Sequence, residues 1–62
     1  EAFRRCLPHL PEIQREALML RLLQDLEWRD IGALVGTTAE AARTRCRTAV
    51  ARLRGCMGLE PA

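Results

Sequence analysis

The 62 residues suffice for one small domain, near the lower limit at which a chain buries a core without outside support. Hydrophobic residues make up 48% but only Phe3 and Trp28 are aromatic, which suits a compact helical domain and argues against disorder. No apolar run approaches the roughly 20 residues that cross a bilayer, and no signal-peptide pattern opens the chain. It therefore reads as soluble and cytoplasmic, and its start at Glu1 rather than Met reads as a piece of a longer protein.

The net charge of +2 is modest but unevenly placed, and all ten basic residues are arginine. Residues 1–36 carry a net −1 and residues 37–62 a net +3. Such asymmetry fits a localised anionic partner better than a uniformly basic coat, although a solvated helix face would also produce it. Three cysteines, at 6, 46 and 56, are an odd number with no paired spacing, which predicts reduced thiols. Cys6 and His9 sketch half of a metal site that Cys46 or Cys56 could complete. The spacing is too sparse for that, and a buried Cys46 serves as a small hydrophobe, so no metal is expected.

In chain order, residues 1–7 read as the end of a helix, with Phe3 and Leu7 four apart and Pro8 as the stop. Pro11 suits a first helical position and Glu12 the first turn, opening a helix over 11–24. Ile13, Ala17, Leu20 and Gln24 trace one of its faces; Leu18, Leu22 and Leu26 trace the neighbouring one, and Met19 and Leu23 widen the apolar surface. Such breadth makes this helix either the central strut or partly a docking surface, and a small domain's need for every apolar residue favours the strut. A third helix is predicted over 28–35, burying Ile31, Leu34 and the Trp28 ring. Gly36 terminates it and Thr38 caps the next helix. That last helix spans 39–54, and Gly55, Gly58 and Pro61 mark a tail over 55–62. The fold class expected is all-α: a bundle of three to four helices in a single domain over 1–62, containing a helix-turn-helix without winged elements.

The last helix rewards an angular reading at about 100° per residue. Ala42, Cys46, Ala49, Val50 and Leu53, with Ala39 beside them, form a core stripe. Opposite lie Glu40, Ala41, Thr44, Thr48 and Ala51, all short except Glu40. Arg43, Arg47 and Arg54 line one border, and Arg45 and Arg52 the other. A slim ridge lets a helix approach base edges while flanking guanidinium groups reach phosphates on the groove walls. Arginines can also border a stripe in order to lie over the core, which accounts for one border but not for five arginines with a single acid among them.

These residues resemble region 4 of bacterial sigma-70 family sigma factors, nearest the extracytoplasmic-function (ECF) group, over about residues 3–54. Leu10-Pro11-Glu12-Ile13-Gln14-Arg15-Glu16, then Leu18-Met19-Leu20-Arg21, is similar to the family's Leu-Pro-x-x-x-Arg-Glu opening. Leu26-Glu27-Trp28-Arg29-Asp30-Ile31-Gly32 resembles its Leu-Ser-Tyr-x-Glu-Ile-Ala, Arg43-Thr44-Arg45 its Lys/Arg-Ser-Arg, and Ala49-x-x-Arg52-Leu53 its closing Ala-x-x-x-Leu. The resemblance implies recognition of the −35 element of double-stranded promoter DNA by the last helix, with the RNA polymerase β flap as partner. Anti-sigma proteins often occupy the same surfaces. Carried over by position, Arg43, Thr44 and Arg47 face the groove and Arg45 contacts phosphate, while Thr38 caps the recognition helix and brings its N-terminus near a phosphate.

The departures from the pattern are specific. Glu40-Ala41-Ala42 stands where the family has Gly-Thr-Val, so a carboxylate joins the DNA-facing ridge, where it accepts from a cytosine amino group or repels phosphate. Thr48 replaces the usual Arg. Glu27 replaces a capping Ser, a loss of roughly 1 kcal/mol where nothing compensates. Glu40 and Thr48 favour an alternative, a sigma-like module bound by an anti-sigma or other regulator without DNA readout. A LuxR-type response-regulator output domain shares the four-helix plan, but its Val-x-x-His-x-x-x-Ile pattern is missing. Enzymatic activity and a cofactor are not expected: His9 is the only histidine, and no Gly-rich phosphate loop precedes a helix.

Overall fold

Four α-helices and one 3-10 turn make up the computed structural model, which describes residues 2–58. Helix α1 spans Ala2–Cys6 and runs into the 3-10 turn Leu7–His9; α2 spans Glu12–Gln24, α3 Trp28–Val35 and α4 Ala39–Met57. The described residues hold no strand.

Local chemistry sets most of the boundaries. Pro8 ends α1 as a tight turn, and Leu10, held extended (ψ 140°) before Pro11, carries the chain into α2. Pro11 acts as the N-cap of α2, its carbonyl accepting from the Gln14 and Arg15 amides at 3.0 Å. Asp25 ends α2 in the left-handed conformation (φ 52°), the only described non-glycine residue there. Arg21 fastens the bend that follows: its Nη1 donates to the Leu26 carbonyl at 2.6 Å, its guanidinium lies 4.9 Å from the Trp28 ring centroid, and Asp25 is 3.8 Å away.

Glu27, extended before α3, makes no side-chain cap; only its carbonyl engages, accepting from the Ile31 amide. Gly36 closes α3 at φ 76°, where a side chain would be strained. The last helix does not stop at 54: it continues through Gly55 and Cys56 to Met57, and Gly58 (φ 76°) caps it. The rest of the expected tail, residues 59–62 with Pro61, lies outside the described residues, as does Glu1.

The strut of the fold is α4, which packs against α1, α2 and α3. Small residues on its inner stripe, Ala42, Cys46 and Ala49, let the other helices come close. Ala17, Ile31 and Ala42 form one buried cluster, flanked by Leu20, Leu26 and Trp28. Cys6, Leu10, Leu18, Cys46, Ala49 and Leu53 form the other, with Phe3, Leu7, Val50 and Met57 packed against it. Trp28 touches both clusters.

Three expectations are corrected. Helix α2 buries only Ala17 and Leu18; Ile13, Leu22 and Leu23 are exposed, because α4 and α3, the elements that pack most on it, cover one side. Leu34 is 65% exposed, since an eight-residue helix turns one face inward and Ile31 and Gly32 occupy it. Finally, the thiols are not all reduced: Cys6 and Cys56 form a disulfide with Cα atoms 5.9 Å apart, while Cys46 is free and buried.

Candidate nucleic-acid interface

The residues between α3 and α4 fix how α4 is presented. The Thr37 amide donates to the Gly32 carbonyl at 2.8 Å, folding the turn back onto α3. A Cβ on Gly32 would lie 2.8 Å from the Thr37 carbonyl oxygen and 2.8–2.9 Å from the carbonyl of Thr38. Only glycine permits this approach, so a residue that in sequence reads merely as a variant of the family's Ala sets the spacing of the two helices. Thr38, extended at φ −83°, then accepts from the Ala41 amide at 3.0 Å through Oγ1, as its cap role predicts.

From that start α4 turns Ala42, Cys46, Ala49 and Leu53 inward. Among the predicted site residues, Thr38, Glu40, Arg43, Thr44 and Arg47 are exposed, whereas Arg45 and Thr48 are half-buried. Arg43 and Glu40 border a notch shared with Trp28 and Ala39, where the starts of α3 and α4 meet. Thr44, Arg47, Thr48 and Ala51 line a shallow open depression further along the same helix. Glu40 and Arg43 thus share one accessible surface and Thr44, Arg47 and Thr48 the next along α4, while Thr38 is exposed at the cap and Arg45 is half-buried.

Electrostatically this side is unspent. Among the described residues the only ion pair is Arg21–Asp25, so no carboxylate lies within 4.0 Å of Arg43, Arg45, Arg47, Arg52 or Arg54. Glu40 does not engage Arg43, despite the (i, i+3) spacing. Five guanidinium groups on one helix therefore keep their donors available to an anion. No group of three His, Cys, Asp or Glu side chains among the described residues is placed to hold a metal, and Cys6 is committed to Cys56.

Sequence reasoning missed Gly32 and Arg21. The first carried no local signal beyond its place before the turn; the second had one, an acid four residues on at Asp25.

Residues 1–53 match the family model described as Sigma-70, region 4. The chain belongs to the sigma-70 region 4 family. Among curated proteins and among solved structures, no match was found. Sigma-70 region 4 is a regulatory DNA-binding domain rather than a catalytic one, and membership places the chain in promoter recognition, with DNA and RNA polymerase as its partners. The match ends at Leu53, so the last turn of α4, including Cys56, lies past the sigma-70 pattern. No helix among the described residues is long and apolar enough to cross a membrane.

Proposed function

We propose that this sigma-70 region 4 domain reads the −35 promoter element by laying the first half of α4 in the major groove, as part of an ECF-type sigma factor working in the cytoplasm. The observation that supports this most is that Arg43 and Arg47 are exposed, with no ion pair among the described residues, on a side whose other residues are short except Glu40. In this reading Arg43, Thr44 and Arg47 face base edges, Arg45 and Arg52 reach phosphates, and the capped start of α4 at Thr38 lies against a phosphate. Glu40 meets a cytosine amino group, which makes the readout selective rather than merely attractive. The exposed Leu22, Leu23 and Leu34 offer apolar surface to the polymerase β flap or to an anti-sigma protein.

The test is the salt dependence of binding to duplexes with and without a −35 element. Arg45 and Arg52 on phosphates give a log–log slope of about −2, and each further arginine on the backbone steepens it by about 1. A protein-only interaction, insensitive to salt and indifferent to the duplex, would instead establish a regulator-binding module without DNA readout, the reading that the exposed Glu40 and half-buried Thr48 favour.

A further inference from the structure

Nothing in promoter recognition uses the Cys6–Cys56 bond. It joins α1 to the last turn of α4, and Cys56 lies beyond Leu53, where the match to the family ends. One of the two bonded cysteines therefore lies inside the matched region and the other outside it. A domain that meets polymerase and promoter works in a reducing compartment, where disulfides are chiefly transient, catalytic or redox-sensing.

The three sulfurs differ in access. Cys6 is 4% exposed, within the cluster of Leu10, Leu18, Cys46, Ala49 and Leu53. Cys56 is exposed, and a small cleft lined by Arg5, Cys6, Cys56 and Met57 leads to the bond from solvent. Arg5 adds a cation to the lining of that cleft. Cys46 sits in the core, where burial pushes its thiol above the ordinary range and Arg21 only partly opposes the shift. It stays protonated and takes no part.

We propose that Cys6 and Cys56 form a reversible thiol–disulfide site, oxidised by a low-molecular-weight disulfide, whose state sets how firmly α1 is held against the C-terminal half of α4. Oxidation begins when the Cys56 thiolate attacks one sulfur of the external disulfide; that S–S bond breaks and one small thiol leaves. Cys6 then gives up its proton to solvent and attacks the Cys56 sulfur of the mixed disulfide, expelling the second small thiol. Two protein thiols are oxidised and one external disulfide is reduced to two thiols; excess small thiol runs the exchange backwards. Helix α1 has only five residues and packs on the core through the half-buried Phe3, beside Leu7 of the 3-10 turn, so local opening exposes Cys6 for the second step.

The inference rests on the sigma reading only for its reducing compartment, and its test involves no DNA. The unaltered chain is equilibrated in glutathione buffers of varied reduced-to-oxidised ratio, quenched by alkylation and weighed, then melted at both extremes. The expected result is a reversible change in the disulfide fraction, with a melting temperature lower by at least about 10 °C in the reduced form. A Cys6→Ala variant should accumulate the glutathione adduct on the exposed Cys56 faster than Cys56→Ala accumulates it on Cys6, which glutathione reaches only through local opening. A bond that stays closed in large excess of reduced glutathione, a partner other than Cys6 for Cys56, or equal melting of the two forms would each overturn the proposal. The titration uses the unaltered protein, so it decides the matter even where Cys6→Ala fails to fold.

Discussion

The two ends of α4 are secured by opposite means. Beneath the helix-turn-helix, Ala17, Ile31 and Ala42 are fully buried and Gly32 has no room for a methyl group, so position there comes from close approach and the absence of side-chain volume. At the far end, larger groups such as Phe3, Leu7, Leu18 and Leu53 gather around a covalent bond between Cys6 and Cys56. The end that presents Arg43 and Arg47 is thus fixed by shape, which chemistry cannot alter. The other end is fixed by a link that thiols can open.

Breaking the link should have the largest effect. A Cys6→Ala/Cys56→Ala chain loses the constraint on a stretch spanning 50 residues, a cost of about 4 kcal/mol in urea unfolding. That approaches the whole stability that a core of this size supplies. A loss under about 1 kcal/mol would mean that packing alone holds the far end, and the contrast would vanish.

The near end is challenged by Gly32→Val, which forces backbone carbonyls apart and should cost about 2 kcal/mol in the same measurement. Its DNA affinity, measured well below the melting temperature, should fall further than the unfolded fraction explains. Normal affinity in the folded variant would show that helix spacing does not matter to the interface.

On the surface itself, Arg43→Ala should weaken binding to the cognate duplex by about 2 kcal/mol, while Arg52→Ala lowers affinity evenly for cognate and random duplexes. Equal losses for both variants on both duplexes would remove Arg43 as a base reader. The smallest effect belongs to Thr38→Ala, about 1 kcal/mol of stability from the lost cap to the Ala41 amide, seen in thermal melts.

Where the sequence could be read, local signals and tertiary packing agreed. Pro8, Gly36 and Thr38 act as the punctuation their chemistry suggests, Pro11 caps α2 rather than serving as its first helical residue, and the angular map of α4 placed Ala42, Cys46, Ala49 and Leu53 inward and Arg43 and Arg47 outward. The rest was set by contacts that no local window contains. Gly55 reads as a breaker, yet α4 passes through it because Cys56 is bonded to α1 and Met57 packs on the core. The disulfide itself spans 50 residues in a chain with an odd number of cysteines, so spacing gave no hint of it. Leu34 and Leu22 misled for the converse reason: apolar character predicts burial only where a partner helix exists, and none of the described elements covers their sides.

The length of α4 has a mechanical consequence. Its 19 residues form one unbroken rod, with Arg43 about 20 Å from Cys56 along the axis. A tilt of about 5° pivoting at the Cys56 end would swing Arg43 by nearly 2 Å, several times the roughly 0.5 Å range of good hydrogen-bond distances. Small leverage at one tip thus becomes a misalignment at the other, and the aim of the arginines depends on how tightly the opposite end is clamped.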